Sequence, residues 1–193
     1  MNRPTNPREI YIAAAARRFA ADGYHGTSLA TLAKDVGVSK QAILHFFGTK
    51  QKLYGEVLTA AATQQCAQVQ ACAQSDPVAH LQAYFQAFGQ ADNSEPDNAR
   101  LIIRALLDSP ERARNWPMKP YLQRLVVLVQ STPGGKDFDR QDAIAWVFQM
   151  IGAIHYFAIS TTAIAGMYGN APRRKITQRF GQMIADRVAE LAT

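Results

Sequence analysis

The chain is poor in the residues that form disulfide scaffolds and metal sites. It contains two cysteines, Cys66 and Cys72, and four histidines among 193 residues. Two cysteines are too few for the disulfide framework of a small secreted domain or for a four-cysteine zinc site. The histidines are scattered and form no His-x-x-x-His pair. We therefore expect no metal and no cofactor, and we interpret both cysteines as buried free thiols.

Motifs of the common enzyme classes are also missing. The sequence has no Gly-rich phosphate loop, no G-x-S-x-G motif and no carboxylate pair beside a base. Asp137, Asp139 and Asp142 do cluster, but they lie at a predicted helix start, where acidic side chains interact favourably with the helix dipole. The sequence therefore predicts that the protein is not an enzyme.

Charge is absent from one long stretch: no Asp, Glu, Lys or Arg occurs between Asp142 and Arg173. Such a run is long enough to span a membrane. It includes Gln149, His155 and Asn170, however, and polar groups are costly in hydrocarbon. We predict a buried central helix. Because residues 1–10 lack the apolar core of a secretory signal, we expect a cytoplasmic protein.

Basic residues are concentrated at one end of the chain. The net charge is +6, and residues 1–60 hold eight Lys/Arg against four Asp/Glu, whereas the remainder holds thirteen against eleven. A local basic excess is typical of a surface that binds phosphate groups. Solvated basic faces are common, so this excess alone is weak support for nucleic-acid binding.

The patterns along the chain are helical, and we find no convincing strand. Asn6-Pro7, Asp76-Pro77 and Ser109-Pro110 are typical helix starts, and residues 93–97 form a predicted polar loop. Apolar residues recur every three or four positions along the predicted helices, and the fourth helix is predicted to bury its apolar positions from Leu53 to Ala61. We predict an all-α fold of about nine helices, with a three-helix head at residues 1–50 and a larger body at 51–193. The predicted last two long helices cover about 138–168 and the segment from Pro172. The first has two apolar faces, one with Ile144, Val147, Phe148, Ile151, His155 and Ala158, the other with Trp146, Met150, Ala153, Phe157 and Ile164. The second is predicted to bury Ile176, Phe180, Met183, Ile184 and Leu191.

Residues 27–50 are the most informative segment. Thr27 or Ser28 is expected to cap a short helix that ends at Gly37, and Ser39 to cap a second one over 40–47. This order of helix, tight glycine turn and helix is the helix-turn-helix arrangement, in which the second helix enters the DNA major groove. The second helix would bury Ile43 and expose the side chains at positions 40, 41, 44 and 45.

The segment from about residue 8 to 58 resembles the N-terminal domain of TetR/AcrR-type transcriptional regulators. The matching residues are Phe19, Gly23, Tyr24, Thr27, Ser28, Leu32, Ala33, Gly37, Val38, Ser39, Ile43, Phe47, Lys50 and Leu53. The resemblance implies a homodimer of all-α subunits, with a head that binds an operator and a body that senses a ligand. Many members have tyrosine where Leu44 stands and histidine where Phe46 stands, so an unusual half-site is expected. We expect Phe46 in the core.

We predict eight DNA-contacting residues. Lys suits guanine O6 and N7, Gln suits adenine N6 and N7, and Leu offers only apolar contact, for example to a thymine methyl. Hydroxyls at helix starts and basic side chains suit phosphates. The predicted base-reading residues are Lys40, Gln41 and Leu44, and the predicted phosphate contacts are Thr27, Ser28, Ser39, His45 and Lys50. Plain helix capping and solvated surface lysines are the alternative interpretations.

The body is rich in aromatic residues, which favours an apolar effector pocket with a few orienting polar groups. Ordinary helical core is the alternative for each aromatic residue, and His155 in particular is typical of a core histidine. The predicted ligand-binding residues are Phe85, Phe88, Arg104, Trp116, Met118, Tyr121, Phe148, Ile151 and His155.

We expect the last two helices of each subunit to form a four-helix bundle in a homodimer. The sequence then predicts a repressor that binds a palindromic operator as a dimer and is released by an apolar or aromatic small molecule. The alternative is a helix-turn-helix regulator with no small-molecule effector, controlled by a protein partner.

Overall fold

The computed structural model describes residues 6–90, 96–109, 114 and 116–193, with only the backbone at 88–90, 96 and 97. Within these residues the chain forms nine α-helices and no strand, which confirms the all-α prediction. The helices are α1 (Pro7–Gly26), α2 (Leu29–Asp35), α3 (Lys40–Phe47), α4 (Lys50–Ala71), α5 (Pro77–Gln90), α6 (Pro96–Leu107), α7 (Lys119–Gln130), α8 (Arg140–Tyr168) and α9 (Asn170–Ala189), followed by a 3-10 turn (Glu190–Ala192).

The chain packs as two compact units. The first contains the chain up to Thr63 together with Asp97–Met118, and the second contains Gln64–Pro96 and Lys119–Thr193. The boundary at Thr63 falls inside α4. These units describe packing, so the functional division into 1–50 and 51–193 stays a prediction.

Local sequence signals set the helix ends of the first unit. The Asn6 side chain accepts from the amide of Arg8, with Pro7 in the first turn of α1. Gly23 interrupts α1, because its φ of 73° lies in the left-handed region that glycine tolerates. Helix α1 packs on α2, and α2 on α3. The buried centre includes Phe19, Leu32, Ile43, Leu53, Leu101 and Ile102.

In the second unit α5 packs against α9 and α7, α7 against α8, and α8 against α9. The buried stripe of α8 is Ala143, Trp146, Val147, Met150, Ile151, Ile154 and His155. The sequence predicted two separate apolar faces on α8. The structure instead buries one stripe, which contains residues from both predicted faces. Phe148 is exposed instead.

Other predicted inward positions also differ from the structure. On α9, Ile184 is buried, but Met183 is 61% exposed. Both cysteines are free and half-buried. The predicted polar loop 93–97 lies almost wholly outside the described residues, as does Pro110 of the helix start predicted at Ser109.

Among the described residues, one helix, α8, is long and apolar enough to cross a membrane, judged by length and composition alone. Its most apolar window has a mean hydropathy of 1.5, and 39% of that window is buried. One such helix is weak support for a membrane span, since the core helix of a globular protein meets the same criteria.

Candidate nucleic-acid interface

Helix α3 presents a polar edge because its apolar side chains are buried on the opposite side. Ile43 and Phe47 are 1% and 4% exposed. Lys40, Gln41 and His45 are exposed, and Leu44 is half-buried. The Ser39 side chain caps the helix by accepting from the amide of Ala42 at 3.1 Å. The outward edge of α3 therefore offers the four side chains predicted from the sequence.

The turn before α3 is fixed by backbone geometry. Gly37 adopts a φ of 71°, and the amide of Val38 donates to the carbonyl of Ala33 at 2.9 Å. A side chain at position 37 would be strained at this φ, although a Cβ there would have open space around it. This turn sets the direction in which α3 leaves α2.

The two predicted hydroxyl contacts at the start of α2 differ in exposure. Ser28 is exposed, caps α2 and accepts from the amide of Thr31 at 3.0 Å. Thr27 is only 3% exposed, and its hydroxyl donates to the carbonyl of Gly23 at 2.8 Å. The Thr27 side chain therefore closes the break in α1 rather than presenting its hydroxyl at the surface.

Lys50 lies at the start of α4 and is held against aromatic rings. Its Nζ is 4.5 Å from the centroid of the Tyr24 ring, and Tyr24 packs on Tyr54 with the centroids 5.1 Å apart. A cation over a ring face is attracted by the ring's electron density. Lys50 is half-buried and positioned, unlike a freely solvated lysine.

Phe46 does not lie in the core. It is 42% exposed and packs edge-on against Tyr11, with ring centroids 5.3 Å apart. Ile10, which is 40% exposed, also lies on the first unit. The expectation of a core position was wrong because α3 is short, and its buried side is already filled by Ile43 and Phe47.

A bidentate ion pair joins α1 to the end of α2. Nε and Nη2 of Arg18 donate to the two carboxylate oxygens of Asp35 at 2.5 and 2.7 Å. The hydrogen bonds from Arg18 lower the pKa of Asp35 below its ordinary value, and the carboxylate raises the pKa of Arg18. Both side chains are exposed to solvent, so screening weakens the pair.

The first unit also contains three of the predicted effector residues. Met118 is fully buried and Trp116 is half-buried. Nη2 of Arg104 on α6 donates to the carbonyl of Ala21 near the end of α1 at 3.0 Å. Four residues further along the chain, Asp108 accepts from the hydroxyl of Tyr54 at 2.7 Å.

These two contacts join α6 to helices α1 and α4, which frame the helix-turn-helix segment. Sequence reasoning missed them, since Arg104 and Ala21 are 83 residues apart and no local pattern pairs them. Their common element, α6, is therefore a candidate for holding the head in place.

Six of the predicted effector residues lie in the second unit. Phe85, Tyr121, Ile151 and His155 are buried, whereas Phe148 is 47% exposed. The side chain of Phe88 lies outside the described residues. Burial lowers the pKa of His155 to about 4, so the ring is neutral at physiological pH.

A buried hydrogen-bond chain lies among these residues. The Tyr84 hydroxyl is 2.9 Å from the Tyr121 hydroxyl and 3.2 Å from Oε1 of Gln65. Burial raises the pKa of both tyrosines, so they too are neutral. Among the described residues, the buried polar side chains of this unit are all uncharged.

The first unit therefore has the geometry of a helix-turn-helix protein: two short capped helices at a glycine turn, the second with an exposed edge of polar side chains beside a positioned lysine. Residues 12–57 match the sequence model described as bacterial regulatory proteins, tetR family.

Two curated relatives match the same part of the chain. The HTH-type transcriptional repressors AcnR of Corynebacterium efficiens and Corynebacterium glutamicum are each 40% identical over 53 residues. The match spans 28% of this chain and 28% of each relative.

Solved structures match nearly the whole fold. The fatty acid degradation regulator FadR from Bacillus halodurans aligns with a TM-score of 0.72 at 16% identity, covering 92% of this chain and 97% of that one. A transcriptional regulator of the TetR/AcrR family from Thermobifida fusca aligns with a TM-score of 0.59 at 19% identity, covering 92% and 96%. Residues 12–57 are therefore similar to the tetR-family DNA-binding segment, and the solved structures share the fold of nearly the whole chain.

Proposed function

We propose that the protein is a transcriptional repressor that binds a two-fold symmetric operator as a homodimer. The observation that carries this proposal is the exposed edge of α3, where Lys40, Gln41 and His45 project from a helix whose opposite side is buried. Two curated relatives of this segment are named transcriptional repressors, which supports repression rather than activation. A protein with this role acts in the cytoplasm, where bacterial DNA lies.

In this proposal the contacts divide into two kinds. Lys40 and Gln41 read base edges, and Leu44 meets a thymine methyl. Ser28, Ser39, His45 and Lys50 hold the sugar-phosphate backbone, which sets position without reading sequence. The buried hydroxyl of Thr27 takes a structural role, because it is already bonded to Gly23.

The test begins with selection of bound duplexes from a random pool by the full-length protein. We expect a palindrome, and Gln41→Ala should lose roughly 1–3 kcal/mol of discrimination at one position in each half-site. Lys50→Ala in a dimer removes two phosphate contacts, so the slope of log affinity against log salt should fall by about 1.8. Lys119→Ala, an exposed lysine on α7, is the matched control and should leave the slope unchanged. Failure to enrich any duplex at low salt would overturn the proposal.

The homodimer is proposed to form through α8 and α9. Between Tyr156 and Met183 no residue is buried, although this part of the helix pair includes large apolar side chains. Tyr156, Met167, Tyr168 and Met183 are 61–71% exposed. A second copy would cover this surface in a four-helix bundle. Sedimentation should therefore show a dimer at micromolar concentration.

The effector is proposed to be an uncharged apolar or aromatic molecule that enters the second unit. The support is the neutral interior around Tyr84, Tyr121 and His155, where a buried carboxylate would find no opposite charge among the described residues. Release of DNA requires that the effector bind the released conformation more tightly. Titration of the operator complex with paired probes, indole and indole-3-carboxylate, tests the charge preference. Operator release by a protein and by no small molecule would favour control by a partner.

A further inference from the structure

The positive charge of Lys50 lies where its own helix does not favour it. Lys50 is the first residue of α4, and the dipole of a helix disfavours a cation at its N-terminus. The Lys50 Nζ lies 4.5 Å from the centroid of the Tyr24 ring, and the face of an aromatic ring attracts a cation. The Tyr24 ring therefore supplies an attraction that the helix end lacks, and it restricts where the charge can lie.

Tyr24 belongs to a packed group of three rings, Phe19, Tyr24 and Tyr54, which form the aromatic cluster. Tyr24 is stacked on Phe19 with the centroids 6.2 Å apart, and it contacts Tyr54 with the centroids 5.1 Å apart. Tyr54 meets Phe19 edge-on at 4.7 Å, and both of these residues are buried. Because each ring contacts the other two, the face that Tyr24 offers to Lys50 has a fixed direction.

Arg104 of α6 holds the backbone immediately before Tyr24. Its Nη2 donates to the carbonyl of Ala21 at 3.0 Å. Its Nη1 lies 2.9 Å from the position that a Cβ on Gly23 would occupy, so the guanidinium rests directly on the break in α1. Arg104 therefore fixes the direction in which the chain reaches Tyr24.

Asp108, one turn further along α6, holds the aromatic cluster from its other side. Its Oδ2 accepts a hydrogen bond from the hydroxyl of Tyr54 at 2.7 Å. Residues four apart lie on the same face of a helix, so Arg104 and Asp108 act from one face of α6. The backbone beside Tyr24 and the ring that packs on it are thus both tied to the same helix.

We propose that Tyr24 is a platform that positions Lys50 for a DNA phosphate, and that Arg104 and Asp108 are positioning residues that hold this platform from α6. A lysine that is already restricted loses less conformational freedom when it binds. All of these residues belong to the first unit. The inference rests on the proposed DNA contact of Lys50 and names the residues on which that contact depends.

Two variants at position 24 test the platform in the full-length protein with the selected operator. Tyr24→Leu keeps an apolar side chain but removes the ring, so it should weaken binding by about threefold or more and lower the salt slope toward that of Lys50→Ala. Tyr24→Phe keeps the ring and is the matched control, which should bind as the wild type does. In the Lys50→Ala background, Tyr24→Leu should have no further effect. An equal loss in both backgrounds would show that Tyr24 acts through the fold, and it would overturn the proposal.

The part played by α6 is tested with smaller changes. Tyr54→Phe removes one hydroxyl and leaves the ring in place, so the protein should stay folded. Tyr54→Phe, Asp108→Ala and Arg104→Ala should each weaken binding by about twofold or more when Lys50 is present, and by much less in the Lys50→Ala background. Arg100→Ala, one turn earlier on α6, removes the same charge and is the matched control. A loss in Arg100→Ala equal to that in Arg104→Ala would refute the role of α6.

Nuclear magnetic resonance of the free protein tests the geometry without DNA. Protons above the face of an aromatic ring resonate upfield, so the Cε protons of Lys50 should be shifted upfield in the wild type and in Tyr24→Phe but not in Tyr24→Leu. A wild-type protein that shows the shift and binds no duplex at low salt would refute the proposed function, and the phosphate contact with it. A protein that binds its operator without the shift would refute the platform alone.

Discussion

The two units of the molecule bury polar groups in different ways. In the first unit many polar contacts are short-range caps and turns, such as Ser28, Ser39 and Thr27. The longer-range contacts there use charged side chains, as in the pair of Arg18 and Asp35. In the second unit the buried polar groups are neutral, and Tyr84, Tyr121 and His155 come from three different helices. The first unit therefore has charged groups at its surface, which suit the proposed binding to DNA phosphates, whereas the second has an uncharged interior.

The two units should differ most when the same cavity is made in each of them. Ile43 and Ile151 are both buried, at 1% and 5% exposed. Replacing either by alanine should cost roughly 2–5 kcal/mol of unfolding free energy. Only Ile43→Ala should also abolish duplex binding, because Ile43 holds α3 in place. Chemical denaturation and gel shift measure the two effects. Equal loss of DNA binding in folded Ile151→Ala would show that the units do not act separately.

A pH titration should find the next largest difference in the second unit. The folded pKa of His155 is about 4, below its ordinary 6.5. Between these values the unfolded chain takes up a proton that the folded protein refuses. Stability should therefore fall as the pH drops from 6.5 to 4, by up to roughly 3 kcal/mol.

The matching control for that titration is His155→Gln, which cannot take up the proton. Its stability should change much less over the same pH window, as followed by denaturation at fixed pH values. An unchanged pH profile in the variant would mean that other groups cause the loss.

The smallest effect is expected for the exposed pair in the first unit. The lowered pKa of Asp35 adds stability above its ordinary value of 3.8, and this is lost as the pH falls through the folded pKa. Asp35→Asn should lower the thermal midpoint slightly at pH 7, and it should have no effect well below pH 3.8, where the carboxyl group is protonated. The control Asp22→Asn should change the midpoint less, because Arg18 lies 3.5 Å from Asp22 but 2.5 Å from Asp35. A large loss at pH 7 would show that solvent screens this pair less than its exposure indicates.

Prediction from the sequence succeeded where the signals are local. Asn6, Ser28, Ser39 and Asp139 cap the predicted helix starts by accepting backbone amides within three residues. The inward positions of α4, from Leu53 to Ala61, follow from their spacing along one helix and are buried. Such features depend on neighbours in the chain, so the order of residues is enough to predict them.

Prediction failed where a side chain's surroundings come from distant segments. Phe46 and Met183 are apolar and correctly spaced for burial, yet nothing covers them sufficiently within the described residues. Arg104 was predicted as an orienting polar group of an effector pocket, and no local signal indicated its contact with the carbonyl of Ala21, 83 residues away. Spacing along a helix predicts which residues share a face, but not which element lies opposite.

The amino-acid sequence alone determined the helical class, the helix-turn-helix segment and the resemblance to TetR/AcrR regulators, since capping, periodicity and glycine turns act over a few residues. Tertiary packing decided which hydroxyl of the Thr27–Ser28 pair stays exposed, which helix contacts α1 through Arg104, and which apolar side chains of α8 and α9 stay exposed. These properties depend on residues brought together from distant parts of the chain, and burial and hydrogen bonding are fixed only once those residues meet.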